Sequence, residues 1–282
     1  MRRIALTASM LGALALALSG TAFASGQKHH GHNHHASNKA QAINTYKTTL
    51  KFTSKASGTS KKPAPMGFTQ DIKATGTHGN RTAVLLDLKT KVYGLVSNAK
   101  DFPTCAFTAI ENAKNDTVCP KGAEVASGYI TATLGSYSNF QASGQSCDPT
   151  LDVWNSGGGK LTFFFVDTAT HQCLNGALTT GSVGPYPATV KQQGKYMVVD
   201  VPIPSFVDFP LGPGALAGSL ETEHLVWKKA TTKVHGKTVP LFASTACQGK
   251  NRPYSQSFKA TLPSSTGAAT TQSATVSHKA AC

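Results

Sequence analysis

Acid is scarce in this 282-residue chain: 13 Asp and Glu stand against 27 Lys and Arg, for a net charge of +14. So few carboxylates leave no dense acidic loop of the kind calcium needs, although Asp148 and Asp152 lie near each other in "CDPTLD". Asp148 reads instead as the capping residue of a turn. Arginine is rarer still, because beyond Arg2 and Arg3 only Arg81 and Arg252 occur. Nucleic-acid readers lean on arginine forks and stacked aromatics. The lysines here are scattered one or two at a time, so nucleic acid is not an expected partner. There is no Gly-x-Ser-x-Gly elbow, which removes the usual serine-hydrolase context, and no Cys-x-x-Cys pair, which weakens a cysteine metal site. Long apolar runs are absent after residue 24. The most apolar window, "KLTFFFVDT", is short and ends in Asp167, so no transmembrane helix is expected.

What is present begins with a compartment. Arg2 and Arg3 precede "MLGALALAL" and then Ala22-Phe23-Ala24, the form of a secretory signal peptide cleaved after Ala24. Without Arg2 and Arg3, 25 basic residues remain against 13 acidic ones, a charge of +12. Such a cationic face suits solubility and would attract anionic cell-wall polymer or acidic polysaccharide. Behind the signal segment, His29, His30, His32, His34 and His35 crowd into seven positions. Neutral imidazoles at that spacing would wrap zinc, nickel or copper. Between residues 25 and 39 Ala36 is the one apolar side chain, so the stretch has nothing to bury and reads as a disordered tail over 25–45. A metal-scavenging role for it is an alternative function.

All six cysteines, Cys105, Cys119, Cys147, Cys173, Cys247 and Cys282, fall in the exported portion. An even number in an oxidising compartment predicts three disulfides. Fifteen connectivities are open; pairing of neighbours would close three short loops, the last pinning a polar C-terminal segment. Period-two alternation marks strands: Tyr46, Thr48, Leu50 and Phe52 against lysines and threonines; Ile130, Ala132 and Leu134; Met197, Val199, Val201 and Ile203; Phe258, Ala260 and Leu262. "FFFV" at 163–166 reads as a central strand covered on both faces. Turn signals separate these runs, and only residues 105–115 read as a short helix. The expected fold is all-β, a disulfide-stapled β-sandwich or jelly roll with one short helix, forming a single domain over 46–282. A division at Gly157, Gly158 and Gly159 is the other possibility.

"FPTCAF", "CPKGAEVASGYITATL", "VPIP" and "STACQGK" before an aromatic strand and a terminal cysteine resemble, in that order, a set of secreted actinobacterial β-rich proteins to which no activity is assigned. The likeness spans roughly residues 91–282. It implies export, disulfides and a β-rich body, and no activity. The loop between Cys147 and Cys173 is where this chain departs from it.

One strand carries a candidate for chemistry. In "SLETEHLVW", strict alternation places Glu221, Glu223, Leu225 and Trp227 on one side, with the two carboxylates' backbones about 6.6 Å apart. Paired acids beside an aromatic platform suit glycoside hydrolysis or sugar binding. The strand weakly resembles the Glu-x-Asp-x-x-Glu strand of certain β-sandwich glucanases, but Val226 stands where that pattern puts its third acid. The leading expectation is therefore a secreted, non-enzymatic protein of the cell envelope or its surroundings, binding a polymer or protein partner. A carbohydrate-active enzyme or lectin using Glu221, Glu223 and Trp227 is the alternative.

Overall fold

Alternation of lysine and threonine with larger side chains turns Thr48 and Leu50 inward and Lys47, Thr49 and Lys51 to solvent along the first strand, β1 (Asn44–Phe52). The same two-residue period builds an all-β protein. In this computed structural model residues 42–179, 183–212, 214–264 and 268–282 are described; the expected signal segment and the five tract histidines lie outside them. Residues Ala40–Cys282 pack as one unit.

The strands that follow are β2 (Ala64–Met66), β3 (Phe68–Gly76), β4 (Val84–Tyr93), β5 (Leu95–Ser97), β6 (Glu124–Ser136), β7 (Gln145–Cys147), β8 (Thr150–Gly157) and β9 (Lys160–Val166). They continue with β10 (Tyr186–Gln193), β11 (Tyr196–Pro202), β12 (Leu216–Trp227), β13 (Thr231–Val234), β14 (Lys237–Pro240), β15 (Phe242–Ser244), β16 (Asn251–Leu262) and β17 (Thr270–Ala281). Twelve of them form one antiparallel sheet in the order β1-β3-β12-β6-β8-β9-β10-β11-β4-β16-β17, with β7 beside β6. The sheet doubles over, so that the sandwich has two layers of one continuous ladder. Tyr46 of β1 stacks on Phe258 of β16 at 3.9 Å, and Thr90 of β4 donates to the Gln70 amide oxygen of β3. The core between the layers draws on nearly every strand, including Phe68, Leu151, Phe163, Val199, Leu225 and Trp227.

Side chains hold the two ends of the ladder together. The Gln272 amide oxygen of β17 accepts the backbone N–H of Ile43 and of Asn44, at 2.9 and 2.8 Å, and its nitrogen donates to the Asn44 carbonyl. Farther along β1, the Leu50 N–H donates to the Tyr254 hydroxyl of β16. A side-chain amide thus does what a neighbouring strand would do. Gln272→Ala leaves buried donors without partners and is expected to lower the unfolding free energy by about 2 kcal/mol. Hydrogen exchange should show faster exchange at the Ile43 and Asn44 amides, and unchanged protection there would refute the role.

Phe163, Phe164 and Phe165 are all buried, as expected for a strand covered on both sides. Phe163 and Phe165 enter the main core, while Phe164 joins Cys105, Ile110, Ala123 and Trp154 under the helix α1 (Phe107–Ala113). A second helix, α2 (Ser205–Asp208), was not visible in the sequence because a single turn has no periodicity to read. Gly157, Gly158 and Gly159 form the hairpin turn between β8 and β9, and all three have positive φ, which side chains resist. The glycine run is therefore a turn within the sheet. Neighbouring cysteines pair throughout, as Cys105–Cys119, Cys147–Cys173 and Cys247–Cys282.

Candidate functional site

The strand with the acidic pair does not present one face. β12 pairs β6 through Leu220↔Ala132 and then Thr222↔Thr131, so Glu221 is an extra, unpaired residue. A β-bulge of this kind resets which side chains face inward. Glu221 consequently points to solvent, where it accepts a hydrogen bond from Thr133, while Glu223 is buried against Gln70. Trp227 is only 2% exposed and stacks on Phe68 at 5.4 Å. The expected common face of Glu221, Glu223 and Trp227 is corrected accordingly: one carboxylate lies outside, the other inside, and no aromatic platform is exposed. This strand does not assemble the facing pair of carboxyls that glycoside hydrolysis requires.

The inward turn of Glu223 has another consequence. It brings the carboxyl to the wall of a cavity of about 100 Å³ between the layers. Aliphatic and aromatic side chains from both layers line it, among them Leu88, Ile130, Leu151, Phe163, Val201 and Leu220. Strand alternation supplies them, and the Cys147–Cys173 disulfide and α2 border the same space. Against this apolar wall stand the side chains of Tyr186, Asp208 and Glu223, which are 3%, 5% and 7% exposed. Ser219 also borders the space, its hydroxyl accepting from Arg81.

Burial in that wall disfavours charge. It pushes the Asp208 carboxyl up to about 8 and the Glu223 carboxyl up to about 7, the latter partly offset by the bond from Gln70. The Tyr186 phenol is raised by burial and by both carboxyls, which places it within electrostatic reach of each. Below about pH 7 the site therefore offers O–H donors in an apolar surround. Sequence reasoning missed Tyr186 and Asp208. The one available signal was an acid set among apolar neighbours, Asp208 between Phe206, Val207, Phe209 and Pro210.

Elsewhere the candidate residues settle into structural roles. His224 Nδ1 lies 2.7 Å from Asp71, His171 Nδ1 lies 3.1 Å from the Asp148 carbonyl, and Tyr129 stacks between the two imidazoles. The Asp148 carboxyl accepts the Gln172 N–H from 24 residues along the chain, so it ties two segments beside the Cys147–Cys173 bridge, a different role from the expected turn cap. Among the described residues no group of three or more His, Cys, Asp or Glu is placed to hold a metal ion. Nor is any described helix long and apolar enough to cross a membrane. Comparison with family models, with curated proteins and with solved structures gives no match.

Proposed function

We propose that this is a secreted, non-enzymatic binding protein of the cell envelope or its surroundings, whose ligand is a small apolar molecule held between the sheet layers. The observation that carries the reading is the cavity, an apolar space with a few converging polar groups, which is the usual make-up of a small-molecule site. Three disulfides support an extracellular setting, since they persist where the surroundings are oxidising. The excess of lysine supports residence near anionic envelope polymer, as an address and not as the binding site.

The test is a titration followed by nuclear magnetic resonance with cyclohexane or benzene as probe. A saturable site is expected, with shifts confined to the cavity lining. Ala132→Phe puts a ring into the space and should abolish saturation while circular dichroism stays unchanged. No saturation in the wild type, or full saturation in a folded Ala132→Phe variant, would remove the reading.

A further inference from the structure

Resting on that reading of the cavity, we propose that its ligand is a small uncharged molecule with an apolar body and one hydrogen-bond-accepting oxygen, and that Tyr186, Asp208 and Glu223 hold that oxygen. The three residues reach the cavity from separate elements, β10, α2 and β12. Among the described residues the Asp208 carboxyl and the Tyr186 hydroxyl make no hydrogen bond, and their oxygens are not fully enclosed although both residues are more than nine-tenths buried. Buried polar groups left in that condition are costly, and a bound oxygen acceptor would satisfy them. Glu223 takes one hydrogen bond, from Gln70 to Oε1, which leaves its second oxygen free to face the cavity.

Charge decides among ligand classes. Tyr186 lies within electrostatic reach of both Glu223 and Asp208, and behind Glu223 are uncharged Gln70 and, beyond it, Thr90. Arg81 is taken up by the Ala142, Ala217 and Ser136 carbonyls and by Ser219 Oγ, so it offers no cation to an anionic ligand. An anion would face two carboxyls, and its charge would be buried without a partner. An ammonium ligand would have to ionise those carboxyls and bury several charges at once, in a protein of net charge +14. A plain hydrocarbon would leave the O–H groups unpaired. The neutral acceptor is what remains. Its size is bounded by the volume: the cavity, at about 100 Å³, lies below the about 150 Å³ that holds benzene, so a six-membered ring is the upper limit. Phe206 and Leu211, 43% and 55% exposed, are the chain neighbours of the cavity-lining Val207, Asp208 and Pro210.

Three ring-sized probes separate the possibilities: cyclohexanone, cyclohexane and cyclohexylamine, titrated into the full chain between pH 6 and pH 9.5. Cyclohexanone is expected to bind about tenfold more tightly than cyclohexane at pH 6, the worth of one well-placed hydrogen bond. That advantage should shrink as the pH passes 7 to 8 and the Glu223 and Asp208 carboxyls lose their protons. Tyr186→Phe should weaken cyclohexanone about tenfold and leave cyclohexane unchanged. Asp208→Asn keeps a donor that does not titrate, so it should preserve cyclohexanone binding and flatten the pH dependence. Equal affinity for ketone and hydrocarbon, or cyclohexylamine binding that tightens with pH, would overturn the neutral-acceptor proposal and leave the cavity reading standing. If neither cyclohexane nor cyclohexanone binds, both fall. Should Tyr186→Phe fail to fold, the wild-type pH profiles of the three probes still decide.

Discussion

Stability is expected to fall as the pH rises from about 5 to about 9, against the habit of proteins whose carboxylates are paired when folded. Asp208 goes from an ordinary 3.8 to about 8, and Glu223 from 4.5 to about 7, both through burial. Asp152 rises from 3.8 to about 7, through burial and the nearby Asp116 and Glu124. A group whose folded value is raised binds its proton more tightly in the native state. Its contribution is complete below the unfolded value, near pH 4, and disappears as the pH climbs through 7 and 8. Each unit of difference is worth about 1.4 kcal/mol. Water entry and relaxation reduce that, so a net loss of about 3–5 kcal/mol across the range is the expected size. The surface pairs Lys51–Asp71 and Lys89–Asp200 are worth little, as exposed pairs are. Urea midpoints measured from pH 5 to pH 9 check this. Asp208→Asn should flatten the profile and be more stable than the wild type at pH 9. A wild-type profile that is level or rises over that range would sink the argument.

Removing the Cys247–Cys282 bridge is the second change with a large expected effect. The bridge joins the base of the β16–β17 hairpin, and its sulfurs are separated by 35 residues in the chain. Loop entropy alone gives about 4 kcal/mol for a closure of that length, and about 3 kcal/mol for the 14-residue separation of Cys105 and Cys119. The C-terminal bridge also borders the guanidinium of Arg252, a residue only 2% exposed that touches Ser244, both sulfurs and the Phe52 ring. More depends on β17 than its own hairpin, because Gln272 ties it to β1. The Cys247→Ala/Cys282→Ala double variant should therefore lose about 4 kcal/mol or more, and limited proteolysis should cut first within 270–281. If the Cys105→Ala/Cys119→Ala variant loses more, β17 is not the strand on which closure depends.

Strands were legible wherever one face is buried and the other wet, since that condition writes a two-residue period into β1, β6, β11 and β16. The triple phenylalanine of β9 was legible for the converse reason, both its faces being covered. Neighbour pairing of the cysteines was readable as the shortest set of loops. The site was not. Tyr186, Asp208 and Glu223 are single residues on distant elements, and each looks ordinary in its own stretch of chain. A cavity is a property of what several strands leave unfilled, and no local pattern records it. At β12 the reading failed for a sharper reason: an acid that looked like one member of an alternating pair is the residue that interrupts the alternation.

That interruption works as a phase shift. Counted along the chain, Leu220 and Glu223 are an odd number of positions apart, so a regular strand would send them to opposite sides. Because Glu221 is skipped by the ladder, both reach the cavity. One residue thus lets Leu220 before the bulge and Glu223, Leu225 and Trp227 after it share a single interior, while Ser219, fully buried, accepts a hydrogen bond from Arg81. The position is consequently tolerant of substitution and, because it lies outside the ladder, of removal as well. Glu221→Ala would cost one exposed hydrogen bond, and excising residue 221 would leave Leu220 and Glu223 two positions apart, the spacing at which a regular strand keeps both on the cavity side.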